Sequence, residues 1–183
     1  MSDPSKRISG SAFPPRRIVL TGFMGSGKST VGPLVAERLG WRFIDVDNEI
    51  EAEAGCTIAE IFARQGEAAF REREHAAIVR LARGERLVLA LGGGAIENQA
   101  TRHLLAADPE TLLIHLEVEL ATTLARCSGS DATRPVLADR ANLAARYERR
   151  LPLYRKMAQV AIAGDALTPA EAADAVLRAT GLA

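Results

Sequence analysis

The chain has 183 residues, 48% hydrophobic and 25% charged, which fits one globular domain with a sizeable core and not a disordered chain. Lys plus Arg and Asp plus Glu each number 23, so a net charge of zero leaves no global field for nonspecific nucleic-acid or membrane binding. The two cysteines, Cys56 and Cys127, lack metal-ligand spacing and argue against a disulfide scaffold or zinc module, and no apolar run could span a bilayer or serve as a signal core, so a cytoplasmic protein is expected.

Residues 1–15, rich in Ser, Pro and charge, read as a flexible tail, and 16–183 as a single domain. Arg17–Thr21 is a β-branched run ending at Gly22 and reads as a strand. Lys28–Leu39 has helical spacing with Val31, Leu34, Val35 and Leu39 on one face, closed by Gly40, and Pro33 is placed near its start, where proline costs least. Arg42–Asp45 is a second strand, followed by helical text over Asn48–Ala54. Thr57 and Glu60 form a capping box, and Gly66 opens a long charged helix over Glu67–Ala82. Leu87–Leu91 is an apolar strand running into Gly92, Gly93 and Gly94. A helix over Asn98–Ala107, a strand over Thr111–Leu116 and a helix over Leu120–Arg126 follow. Ser128–Arg134 is the least patterned internal stretch and reads as a mobile loop. A basic helix over Ala138–Met157, interrupted at Pro152, a short strand over Val160–Ile162 and a helix capped by Thr168 complete the chain. Strands alternating with helices predict an α/β, three-layer fold: a parallel sheet with helices on both faces.

The sharpest motif is Gly22-Phe23-Met24-Gly25-Ser26-Gly27-Lys28-Ser29, a GxxxxGK[ST] sequence lying between a strand and a helix. Backbone N–H groups of such a loop bind phosphate oxygens, Lys28 reaches the β- and γ-phosphates, and the Ser29 hydroxyl ligates Mg²⁺. The motif implies nucleotide binding and leaves kinases, GTPases, ATPases and regulatory binders open. No NKxD guanine-reading tetrapeptide occurs, and the chain is short for a motor ATPase, so a small-molecule kinase fits best. Three clusters bear on the acceptor. Asp45 and Asp47 end the second strand and, as residues i and i+2, are expected on one side of it, facing the crevice beyond the strand ends; a solvated turn or a helix cap by Asp47 is the bland alternative. Arg71 and Glu74 share a helix face beside Phe70, which suits bidentate grip of a small carboxylate but also an ordinary surface ion pair. Three consecutive glycines, Gly92–Gly94, allow close backbone approach to a ligand, though a plain strand-to-helix turn also uses glycine.

Taken together, GFMGSGKST, the DVD pair, GCTIAEIFARQGEAAFREREH, LGGGA, ATRPVL and RRLPLYRK resemble the shikimate kinase family in text, order and spacing from about Arg17 to the last helix. The resemblance implies a P-loop, NMP-kinase-like fold with five parallel strands, a substrate-binding region at about 46–75 and a lid at about 126–138. It implies transfer of the γ-phosphoryl of ATP to the 3-hydroxyl of shikimate, on the way to the aromatic amino acids. It places Gly25, Ser26, Gly27, Lys28, Ser29 and Thr30 on the ATP phosphates, Arg126 near adenine and Arg134 in the lid over ATP. It places Ser29 and Asp45 at Mg²⁺, and Asp47 on the acceptor hydroxyls. Arg71 and Arg150 fall on the substrate carboxylate, Glu74 orients them, and Gly92, Gly93, Gly94, Phe62 and Phe70 line the pocket. Lys28, Asp47 and Arg134 are the catalytic set. The chain departs from the family pattern at Ala90 and Leu91, where a Ser or Thr hydroxyl is often found, and in a segment between Arg126 and Arg134 about one residue longer than in some relatives. The nearest rivals are a gluconate-type kinase on the same fold and a silent ATP-binding regulator. The small-molecule partners expected are ATP and shikimate, with no nucleic acid or membrane, and a monomer is expected because no exposed apolar stripe asks for a partner.

Overall fold

The computed structural model describes residues 14–127 and 140–182. The elements run β1 (Arg17–Thr21), α1 (Lys28–Leu39), β2 (Arg42–Asp45), α2 (Val46–Ala54), α3 (Ile58–Leu81), β3 (Leu87–Ala90), a 3-10 turn (Ala95–Glu97), α4 (Gln99–Ala107), β4 (Thr111–Glu117), α5 (Leu120–Cys127), α6 (Arg140–Met157), β5 (Val160–Ala163) and α7 (Pro169–Thr180). The strands form one parallel sheet in the order β2-β3-β1-β4-β5. Every residue of β1 is buried, as the central strand of a sheet covered on both faces must be. Its side chains alternate. Ile18 and Leu20 join Val31, Val35, Ile114 and Val176 beneath α1 and α7. Val19 joins Ile50, Ile61, Phe70, Leu89 and Leu113 on the opposite face, under α2 and α3. Each such fully buried aliphatic side chain contributes about 1.5–3 kcal/mol. Arg17 pins the amino end of β1: buried, it donates to Thr111 Oγ1 at 3.1 Å and the Gly84 carbonyl at 2.6 Å and pairs with Asp108.

Local chemistry accounts for most boundaries. Thr57 and Glu60 cap each other's backbone N–H groups at the start of α3, and Thr168 and Glu171 do so at α7 with Pro169 next. Gly66, at φ 81° and ψ 171°, breaks α3 into the two helices expected from the sequence. Two expectations change. α2 begins at Val46 and not Asn48, because the Asp45 side chain accepts from the Asp47 N–H at 3.0 Å and caps it. Pro33 is the sixth residue of α1, a turn beyond the N1 position that suits proline, so the helix forgoes one internal hydrogen bond at this exposed point. Parts of the tail, the loop and the lid expected at 1–13 and 128–139, with Arg134, lie outside the described residues. Among the described residues no helix is long and apolar enough to cross a membrane.

Candidate active site

The loop from Gly22 to Lys28 leaves the carboxyl end of β1 and turns directly into α1. Gly22 has φ 150°, and a β-carbon there would stand 2.5 Å from the Leu116 carbonyl and 2.8 Å from Ser26 Oγ, so only glycine fits. Gly27 occupies the helix N-cap at φ 93° with no side-chain cap, and α1 has no acidic residue in its first turn. The other capped helices of this fold satisfy their first N–H groups with Asp45, Thr57, Asn98 or Thr168. An uncapped helix N-terminus after a glycine-rich loop favours an anion such as a phosphate. Lys28 Nζ lies across the loop, donating to the carbonyls of Gly22 at 2.8 Å and Phe23 at 3.1 Å and to Ser26 Oγ at 3.3 Å. Thr30 is exposed on the first turn. Arg126 donates to the Gly25 carbonyl at 3.3 Å and the Gly164 carbonyl at 2.8 Å, so it joins the phosphate loop to the segment after β5.

Ser29 Oγ donates to Asp45 Oδ2 at 2.6 Å, which brings the end of β2 against the start of α1. Two hard oxygens so close, beside an uncapped helix N-terminus, suit Mg²⁺ carried by a nucleotide. Among the described residues no cluster of three or more His, Cys, Asp or Glu could hold a metal ion. Asp45 and Asp47 do not share a strand face. Asp45 ends β2 and caps α2, and Asp47 stands in the first turn of α2, so the helix start and not the strand period aims it.

The glycine turn after β3 gathers the remaining groups. A β-carbon on Gly92 would stand 2.6 Å from Asp47 Oδ1 and 2.6 Å from Glu74 Oε1. One on Gly94 would stand 2.7 Å from the Arg71 guanidinium carbon. One on Gly93 would stand 3.6 Å from the Gly22 carbonyl, 3.6 Å from the Tyr154 hydroxyl and 3.8 Å from Arg150 Nη1. All three glycines therefore face functional groups, more than a simple turn requires. Arg71 donates to Glu74 at 2.7 Å and to Glu67 at 3.1 Å, and its guanidinium lies 5.0 Å from the Phe70 ring centroid. Glu74 is 2% exposed, so its pair with Arg71 is interior and not a surface pair. Burial raises the Glu74 carboxyl to about 7; Arg71 opposes the rise and Asp47 adds to it. Phe62 and Phe70 have ring centroids 4.9 Å apart, with Phe70 buried and Phe62 exposed.

The sequence reading gave Glu74 both arginines, and the geometry divides that duty. Glu74 bonds Arg71, whereas Glu97 holds Arg150, accepting at 2.8 Å from Nε and pairing at 2.6 Å with Nη2. Burial raises the Glu97 carboxyl, but hydrogen bonds from Arg150 and Arg149 outweigh it and leave the group below its ordinary value. Glu97 and Tyr154 escaped the sequence reading. Nothing in the sequence near Glu97 signalled its partner, since the burial of Arg150 that demands a counter-ion is a feature of the fold; the signal for Tyr154 was its place one helical turn after Arg150. Tyr154 donates to the Gly93 carbonyl and stacks on His115, with centroids 5.0 Å apart. Burial lowers His115 to about 4, Glu117 opposing and Arg155 and Lys28 reinforcing the fall, so the ring is neutral and packs. His75 Nδ1 lies 2.8 Å from Thr101 Oγ1. Between α3 and α6 opens a cleft of about 350 Å³ lined by Glu67, Arg71, Glu97, Asn98 and Arg149. A larger depression beside Trp41 and Leu182, at the other end of the molecule, carries none of these groups.

A family profile for shikimate kinase matches residues 24–180. The shikimate kinase of Thermobifida fusca is 42% identical over 162 residues, which cover 87% of this chain and 92% of that one. The solved structure of shikimate kinase from Acinetobacter baumannii in complex with shikimate superposes with a TM-score of 0.83 at 36% identity, covering 92% of this chain and 93% of that one. A gluconokinase from Sinorhizobium meliloti shares the fold alone, with a TM-score of 0.56 at 21% identity over 91% of this chain and 92% of that one.

Proposed function

Because the chain belongs to the shikimate kinase family, and is thus an ATP-dependent phosphotransferase, we propose a role for each group around the glycine turn. The acceptor is shikimate, a small anion with one carboxylate and three hydroxyls. Its carboxylate lies between Arg71 and Arg150, each already fixed by a glutamate. Its 3-hydroxyl lies on Asp47, and the turn at Gly92–Gly94 lets the ring approach the backbone. Phe62 and Phe70 form the apolar wall.

ATP lies with its phosphates on the uncapped start of α1. Lys28 exchanges its loop carbonyls for the β- and γ-phosphates. Ser29 and Asp45 would hold Mg²⁺, which when bound neutralises phosphate charge. Ala90 offers no hydroxyl to help, so metal support falls on those two residues. The hydroxyl oxygen of shikimate bonds to the γ-phosphorus as the bond to the β-phosphate oxygen breaks, and its proton passes to the Asp47 carboxylate. The products are shikimate 3-phosphate and ADP. The resemblance gives Arg134 the charge that develops during transfer, and Arg126 the adenine side.

The observation that carries this reading is the convergence of Asp47, Glu74, Arg71 and Arg150 on three successive glycines beside the phosphate loop. Asp47→Ala and Arg71→Ala test it. Shikimate-dependent ADP release should fall by about 10²–10⁴-fold in Asp47→Ala, and in Arg71→Ala the KM for shikimate should rise steeply. ATP binding should stay largely intact in both, because both residues lie on the acceptor side, outside the GxxxxGK[ST] motif. Near-normal turnover in either variant would sink the assignment of that residue.

A further inference from the structure

We propose that Glu97 is a positioning residue for acceptor affinity: it fixes the Arg150 guanidinium so that its Nη1 end faces the glycine turn. This rests on the reading of Arg150 as a ligand of the shikimate carboxylate. Arg150 is a buried cation, with its side chain 7% exposed. Both Nε and Nη2 meet a single oxygen, Glu97 Oε2, at 2.8 and 2.6 Å. The other oxygen, Oε1, is held by Arg149 Nε at 2.8 Å, which stops the carboxylate from rotating. The remaining corner of the guanidinium, Nη1, is the one that approaches Gly93.

The base of this clamp is stiff. Glu97 ends the 3-10 turn that begins right after the three glycines. Its neighbour Ile96 is fully buried in one cluster with Phe23 and Tyr154. The turn that contacts the acceptor and the carboxylate that aims Arg150 are thus one rigid piece of chain. Deprived of Glu97, a buried guanidinium must find another anion. The Glu74 carboxyl, which already feels the charge of Arg150, is the group at hand. Moving there, Arg150 would turn away from the acceptor carboxylate. Glu97 therefore acts on one end of the substrate only.

Glu97→Gln keeps shape and removes the charge. The KM for shikimate should rise about tenfold, the loss of one charge-assisted bond. The kcat and the KM for ATP should stay near wild type, while the thermal unfolding midpoint falls because the buried guanidinium loses its counter-ion. Binding of the methyl ester of shikimate, which has no anionic carboxylate, should be the same in both proteins; a general structural defect would weaken acid and ester alike. Arg149→Gln, which removes only the exposed partner, should have less than about a threefold effect. Glu97→Asp retains the charge and should recover part of the loss, and it serves as the probe if Glu97→Gln does not fold. An unchanged KM in Glu97→Gln beside a raised KM in Arg150→Lys would overturn the positioning role alone. An unchanged KM in Arg150→Lys would overturn the carboxylate reading on which it rests.

Discussion

Glu74 carries a strongly perturbed carboxyl at the site. The folded protein raises its carboxyl to about 7, against 4.5 ordinarily, chiefly through burial. The folded state thus holds this proton more tightly than the unfolded chain. Its contribution to stability is full below about pH 4.5 and is lost as the pH rises through 7. Glu74→Gln removes this term. Stability followed by urea denaturation should decline between pH 5 and 8 in the wild type by up to a few kcal/mol more than in the variant; equal slopes would show that Glu74 ionises normally. The spacing of Arg71 and Glu74 was legible, since i and i+3 share a helix face whatever the fold. The burial of Glu74 was not, because it depends on Gly92 and Asp47, elements distant in sequence. The assignment of both arginines to Glu74 went astray for the same reason: nothing in the local text places Glu97 against Arg150.

At the scale of elements, a strong local signal decided what could be read. The loop between β1 and α1 was legible as a glycine-rich turn into a helix, and Gly22, Gly25 and Gly27 all have the positive φ that glycine allows. Both capping boxes were legible for a similar reason. The start of α2 was misplaced because an aspartate at a strand end competes for two roles, and here Asp45 turns the chain into a helix two residues early. The glycine turn was recognised as unusual, but only the structure shows what each glycine faces. Gly94→Ala tests that packing. Its β-carbon would meet the Arg71 guanidinium, the end of a flexible side chain that can move aside. The fold should survive, and the KM for shikimate should rise by about tenfold or more with the KM for ATP unchanged. An unaltered KM would mean that Arg71 does not need its place over the turn.

The whole molecule explains why so scattered a set of residues forms one site. With β1 central and β3 and β4 on either side, the loops after β1, β2 and β3 leave the same edge of the sheet. Ligands of open parallel sheets bind at that carboxyl edge. α3 and α6 then lay Arg71 and Arg150 over it from two sides. The alternation of strands and helices made the layered fold legible, but strand order was not, since it rests on contacts far apart in sequence. The fold is shared with a gluconokinase, so it does not choose the acceptor; in the function proposed above, the groups around the glycines do.

The most direct measurement is ADP release with Mg²⁺ and ATP, compared across shikimate, gluconate, AMP and no acceptor. Turnover that depends on shikimate and is absent with the other three is the predicted result. Turnover driven by gluconate, or equal turnover without any acceptor, would contradict the acceptor site built here from Asp47, Arg71 and Arg150.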